Sequence, residues 1–195
     1  MTSRIDRRGL VAGLTTAALA PPAFARPRAK SLFDGRTLDG WTPVGDANWG
    51  VRDRVISADA GGMSFLVSRE SYRDFELHAE IWVSPDANSG IFIRCSDPVG
   101  VTADNAYEVN VFDTRPDPTY GTGAIVNLAK VSPMPKAGGR WNTMDVTARG
   151  DSLTVVFNGR KTVDGARDPA HAEGPIALQY GAGVVKFRKI EIRAL

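Results

Sequence analysis

The chain has 195 residues, a single cysteine, and 24 Lys plus Arg against 22 Asp plus Glu. Its first 25 residues hold Arg4, Arg7 and Arg8 against Asp6, so the remainder carries 21 charges of each sign. Such a balance gives no general attraction for nucleic acid or an anionic membrane, and one cysteine excludes an intrachain disulfide.

In chain order, MTSRIDRRG is basic, LVAGLTTAALAPP is apolar and small, and Ala23-Phe24-Ala25 has the form of a cleavage site. Residues 1–25 therefore read as a secretory signal peptide whose apolar run is too short to span a bilayer. Arg7-Arg8, just before that run, points to the twin-arginine route and to a periplasmic or secreted protein. No cysteine stands directly after the cleavage site, which argues against a lipid anchor. Residues 26–195 are enough for one domain with its own core.

The pattern of that domain is β almost throughout. WGVRDRVISA reads as two short strands around Arg52-Asp53-Arg54, and FELHAEIWV alternates over its whole length. GIFIRCS, AYEVNVFD, GAIVNLAKV, WNTMDVTARG, SLTVVFNG, PIALQYG and VKFRKIEIRAL follow, most of them bounded by Gly, Pro, Asn or Asp. Asn158-Gly159 is a two-residue hairpin signal, and residues 148–152 form another tight turn. The last segment needs a bulge near Lys189 to keep its apolar residues on one face. Single helical turns are expected only around Tyr72 and His171. Ten or more short strands in a domain of this size predict an all-β fold, a two-sheet antiparallel jelly roll or sandwich.

Within this frame NAYEVNVFD is unusual. Tyr107, Val109 and Val111 share one face, while Glu108, Asn110 and Phe112 share the other. GIFIRCS places Arg94 beside Phe92, PIALQYG presents Gln179 and Tyr180, and GAIVNLAKV adds Asn127 and Lys130. If these strands are neighbours, Arg94, Glu108, Asn110 and Gln179 form a polar floor next to aromatic rings. That composition suits a carbohydrate, which needs directional donors and acceptors and an apolar wall for ring C–H groups. It equally suits a cross-strand Glu108–Arg94 ion pair on a wet face, and spacing alone leaves both readings open. Glu76, His78, Glu80 and Trp82 share a face that could gather a metal but reads more simply as solvated. Cys95 reads as a small buried residue. Asp113 suits a turn cap or a substrate loop. Trp41, Trp49 and Trp141 are expected to pack the core, with Trp49 also a candidate sugar platform.

Taken together, SLFDGRTLDGW, WGVRDRVIS, YRDFELHAEIWVSPDANSGIFIR, YEVNVFD, GRWNTMDVTARGDSLTVVFNG and GPIALQYG resemble, in order, the 3-keto-disaccharide hydrolase family, formerly DUF1080. The resemblance covers Lys30 to Leu195 and implies a concanavalin A-like lectin/glucanase fold. It also implies cleavage of glycosides whose glucose carries a ketone at carbon 3. The ketone acidifies the hydrogen at C2, a base removes it, the glycosidic oxygen at C1 leaves from the enolate, and water adds back. Such a site needs a base of tuned pKa and a group that stabilises the enolate, for which a divalent ion such as Ca, Mg or Mn can serve. Glu108, Asn110 and Asp113 could offer that ion oxygen ligands.

Carried over, the resemblance assigns Glu108 as base and Arg94 or Lys130 as enolate stabiliser. Asn110, Asp113, Asn127, Gln179, Tyr180 and Trp49 become candidates for contact with an oxidised glycoside or other carbohydrate. Two departures stand out: Tyr180-Gly181 replaces the family's usual Asp-His pair, and Asn110 stands where glutamine is usual. Loss of the Asp-His pair leaves a second reading open, a non-catalytic carbohydrate-binding module of the same fold.

Overall fold

Alternating apolar residues can bury only one face of a strand, and this chain solves the problem by stacking two sheets. The computed structural model describes residues 27–195; the expected signal peptide lies outside the described residues. Thirteen strands are formed: β1 (Lys30–Ser31), β2 (Trp41–Val44), β3 (Gly50–Arg52), β4 (Val55–Ala58), β5 (Ser64–Tyr72), β6 (Phe75–Val83), β7 (Asn88–Ile93), β8 (Tyr107–Val111), β9 (Trp141–Arg149), β10 (Ser152–Phe157), β11 (Arg160–Arg167), β12 (Gly174–Ala182) and β13 (Val185–Ala194). One sheet runs β11-β10-β9-β6-β13-β4-β3 with β1 added on β13; the other runs β2-β5-β12-β7-β8. The fold is the expected two-sheet antiparallel jelly roll.

The core lies between the inner faces. From the larger sheet come Phe75, Leu77, Ala79 and Ile81 of β6 with Phe187, Ile190 and Ile192 of β13. Ile91, Ile93, Val109, Val111, Ile176 and Leu178 meet them from the smaller one. The turns follow the sequence signals. Asn158 and Gly159 take φ of 50° and 75° between β10 and β11, and Asp53 and Arg54 take 52° and 62° between β3 and β4, the left-handed pairs that match hairpin twist. Lys189, at φ 47°, sits where the β13–β6 register shifts, which returns Ile190 and Ile192 to the core as expected.

Four expectations need correction. Tyr72 ends a nine-residue strand rather than a helical turn, because Ser64–Ser68 is buried on both faces and lacks the alternation that marks a strand. PAHAEG is not helical, and among the described residues the one helical turn is Pro118–Tyr120. GAIVNLAKV is not a strand: Ile125 makes single bridges to Val109 and Ala129 while the chain reverses through Asn127 at φ 63°. Trp141 is not in the core but on the outer face of the larger sheet, opposite Trp82.

Arg94 departs most from its expected place. It adopts φ 55° just after β7, so the alternation slips by one residue and Cys95, rather than Arg94, follows Phe92 onto the outer face. Burial pushes the Cys95 thiol up to about 12, which leaves it unreactive. The fully buried Arg94 guanidinium donates to the carbonyls of Arg73 (2.8 Å), Gly150 (2.7 Å) and His171 (3.2 Å) and to the Asp74 carboxylate (3.1 Å). One side chain thus ties the β5–β6, β9–β10 and β11–β12 connections together. Replacing it with Met leaves these acceptors buried without donors, and a loss of about 3–5 kcal/mol is expected. Urea denaturation measures this directly, with exposed Arg69→Met as a control expected to change stability by less than about 0.5 kcal/mol.

Candidate functional site

The outer face of the five-stranded sheet carries two transverse rows set by strand register. Val67, Ala177, Phe92 and Glu108 align across β5, β12, β7 and β8. Val44, Phe65, Gln179, Gly90 and Asn110 form the adjacent row, starting from β2. Phe65, Val67, Phe92, Cys95 and Ala177 belong to a second apolar cluster, separate from the inter-sheet core. Phe65 and Phe92 meet edge to face at 5.2 Å. Half of the face is therefore an aromatic wall, and half is the polar floor of Glu108, Asn110 and Gln179.

All three polar side chains are more than nine-tenths buried, at 7%, 0% and 4% exposure. Burial pushes the Glu108 carboxyl up to about 7, only partly opposed by the field of Arg115. Asn110 donates through Nδ2 to the Tyr120 carbonyl (2.7 Å), and Gln179 donates through Nε2 to the Met63 thioether (3.5 Å). The amide oxygens of both, Asn110 Oδ1 and Gln179 Oε1, are buried with no donor in reach. Buried oxygens without a protein donor are costly, and an ordered water or a ligand hydroxyl can meet that cost. Gly90 lies between Asn110 and Gln179 in register, and it is packed too closely for a side chain: a Cβ there would stand 2.9 Å from the Val109 carbonyl and 3.4 Å from Gln179 Oε1.

The edge of this floor is built by residues 113–131. Backbone bonds run from Val126 N–H to the Glu108 carbonyl and from Gly123 N–H to the Asn110 carbonyl. The same loop carries Arg115, whose charge reaches Glu108, and Lys130, whose Nζ lies 5.5 Å from the Tyr120 ring centroid. Lys130 thus stands on the exposed rim rather than on the floor. Arg115 was not singled out from sequence; its place directly after Asp113-Thr114, in the turn following the Glu108 strand, was the available signal.

Other candidate residues are used differently. Arg94 is turned away, as described above. Asp113 accepts from Thr122 Oγ1 (2.7 Å) and from the backbone N–H groups of Ala137 and Gly138 (both 2.9 Å to Oδ2), so its carboxylate holds the loop together instead of facing a ligand. Tyr180 points into the inter-sheet core. Trp49 packs against the inter-sheet core, 6.3 Å from Phe187, and not on the outer face that carries Glu108. Asn127 is exposed at the apex of its turn.

No three His, Cys, Asp or Glu side chains gather to hold a metal among the described residues. His78 hydrogen-bonds Asp145 (2.6 Å), and Glu76 and Glu80 pair with arginines of β13. With Asp113 engaged elsewhere, the floor offers one carboxylate and two neutral oxygens. This donor set suits the hydroxyls of a polyol better than a doubly charged ion.

The raised Glu108 pKa has a consequence for stability. Between the ordinary value of 4.5 and about 7 the folded chain keeps a proton that the unfolded chain has released. Stability therefore falls as pH rises through this window and levels off above it. Glu108→Gln removes that slope and is expected to be more stable than wild type at pH 8, by up to about 3 kcal/mol. Urea midpoints of both proteins at pH 5 and pH 8 test this.

The profile of the 3-keto-alpha-glucoside-1,2-lyase-like domain matches residues 28–193. A 3-keto-disaccharide hydrolase of Bacteroides thetaiotaomicron is 26% identical over 144 aligned residues, covering 57% of this chain and 49% of that one. The chain thus spans about half the length of this curated relative. Among solved structures, two putative glycosyl hydrolases of Parabacteroides distasonis superpose with TM-scores of 0.74 and 0.71. Their identities are 18% and 24%, and they cover 86% of this chain and 94% and 100% of their own. The carbohydrate-binding module CBM66 of Bacillus subtilis follows at 0.65 and 20% identity, covering 80% of this chain and 96% of its own. These likenesses in structure show a shared fold.

Proposed function

This chain belongs to the family of 3-keto-alpha-glucoside-1,2-lyase-like domains, and from that premise we propose that it cleaves the glycosidic bond of 3-keto-glucosides, with Glu108 as the base. Membership places it among carbohydrate-acting enzymes and binding modules. The observation that supports an enzyme is the buried Glu108 carboxyl, raised towards neutrality on the same sheet face as two amide oxygens that lack donors.

The chemistry follows from that arrangement. Asn110 Oδ1 and Gln179 Oε1 accept sugar hydroxyls, and the Phe65–Phe92 wall packs against the apolar ring face. Glu108, ionised above about pH 7, takes the C2 proton made acidic by the neighbouring ketone. The electrons move into the C2–C3 enolate and then expel the aglycone oxygen from C1, which leaves with a proton. Water adds to the resulting 2-hydroxyglucal, and the products are 3-keto-glucose and the free aglycone. Arg115 replaces Arg94 as the nearby positive charge for the enolate, and the Gln179 amide N–H, held only by a thioether, can turn to the same oxygen. Export to the periplasm or the medium belongs to this proposal, since the residues that would direct it are those of the signal segment.

One feature favours the alternative, a carbohydrate-binding module. Position 181, where the family pattern has a histidine, is Gly181, and Asn88 Nδ2 lies 2.8 Å from where its Cβ would stand. The flank that would supply a second acid or base therefore carries no side chain. The two readings separate by product analysis with a panel of 3-keto-glucosides, with and without divalent ions. The enzyme reading expects aglycone together with 3-keto-glucose or its 2-hydroxyglucal, and a kcat/KM that rises through about pH 7. Glu108→Gln should lower turnover by about 10²–10⁴-fold with the fold intact. Saturable binding without products would establish the module, and undiminished turnover by Glu108→Gln would remove the base assignment.

A further inference from the structure

The wall and the floor of the Glu108 face are covered. Phe65 and Phe92 are 7% and 2% exposed, and Glu108, Asn110 and Gln179 are no more exposed than that. A sugar reaches these groups only after a covering segment moves aside. Two segments border the face, and they are held very differently. Residues 113–131 are fastened: Asp113 grips Thr122, Ala137 and Gly138, and backbone bonds run to the Glu108 and Asn110 carbonyls. Residues 96–105, between β7 and β8, are not.

Every hydrogen bond that residues 96–105 make among the described residues closes within the segment itself. Ser96 N–H donates to the Asn105 carbonyl (2.8 Å) and draws the two ends together. Inside, Thr102 N–H donates to Asn105 Oδ1 (2.9 Å), and Asn105 Nδ2 donates to the Gly100 carbonyl (2.7 Å). Asp97 Oδ1 accepts from Val99 N–H (3.1 Å) and Gly100 N–H (3.2 Å). Such a loop has a narrow neck and can swing as one piece without breaking a hydrogen bond to the rest of the chain. Its one buried side chain is Val101, at 6% exposure. Val101 packs into the apolar cluster of Phe65, Val67, Phe92, Cys95, Ala106 and Ala177. A single buried valine and no outside hydrogen bond mark the low end of local stability.

We propose that residues 96–105 form a lid over the Glu108 face, latched by Val101, which holds the place on the Phe65–Phe92 wall that the apolar face of a sugar takes when the loop swings out. The lid's function rests on the reading of that face as the ligand site. Apparent affinity is then the intrinsic affinity scaled by the open fraction, so loosening the latch raises it.

Cys95 reports the opening, because it is buried in the same cluster and directly precedes the loop. Its labelling by a chromogenic aromatic disulfide is followed at increasing urea, below the unfolding transition. Labelling through the lid should be insensitive to low urea, since opening exposes little surface, and should rise steeply only where global unfolding takes over. Val101→Ala should speed the low-urea labelling about tenfold. Val155→Ala, an equal truncation in the inter-sheet core, should leave it unchanged while lowering the urea midpoint. On the 3-keto-glucoside panel, Val101→Ala should lower KM, or Kd, by about the same tenfold factor with kcat little changed. Val101→Thr keeps the volume, loosens the latch through its buried hydroxyl and gives the comparison if Val101→Ala does not fold. Labelling that follows global unfolding down to zero urea, or that neither Val101 variant accelerates, overturns the lid. Faster labelling with KM and Kd unaltered overturns its control of the site. Absence of both turnover and saturable binding with every glycoside overturns instead the reading of the Glu108 face, and the lid's function with it, whatever the labelling shows of the loop.

Discussion

Apolar contact between the two sheets fixes the rest of this structure, because it settles which face of every strand is left over. Once Val109 and Val111 are drawn into the core, Glu108 and Asn110 must stand on the opposite face of β8. Once Leu178 is drawn in, Gln179 must stand outside on β12. A second apolar cluster then covers much of that outer face and removes water from it. The carboxyl of Glu108 is shifted by desolvation rather than by a neighbouring acid, so its chemistry is a by-product of how the sheet is covered.

The two outer faces have been treated differently. On the smaller sheet the polar residues are few, buried and short of partners, which is the arrangement of a site that discriminates. On the larger sheet they are many and mostly paired: His78 with Asp145, Glu76 with Arg193, Glu80 with Arg188 and Lys189. Surface pairs of this kind contribute little to stability. They do fix the orientation of long side chains over Trp141 and its neighbours.

Much of this was legible in sequence, and the failures have physical causes. Period-2 alternation marked most of the long strands, and the Lys189 bulge was implied by two apolar residues falling out of phase. The polar face of β8 could be read because Glu108 and Asn110 interrupt an otherwise apolar run. Arg94 could not be placed, since alternation carries no information about a left-handed residue that shifts the phase after Phe92. Strand β5 was missed because burial of both faces erases the pattern used to find strands. Trp141 was misassigned because a large aromatic at a strand start looks the same in sequence whether it faces the core or a groove.

The grip of Asp113 has a wider meaning. By holding Thr122 and the backbone at Ala137 and Gly138, it closes residues 113–138 into a loop anchored at both ends beside β8. Within that loop, Asn127 and Lys130 stand on the exposed apex and rim, outside the anchored contacts. The rim can therefore vary over generations, or be exchanged by grafting, while the geometry around Glu108 stays as it is. Substitution at Asn127 or Lys130 thus reaches the margin of the proposed sugar site while the floor of Glu108, Asn110 and Gln179 stays in place.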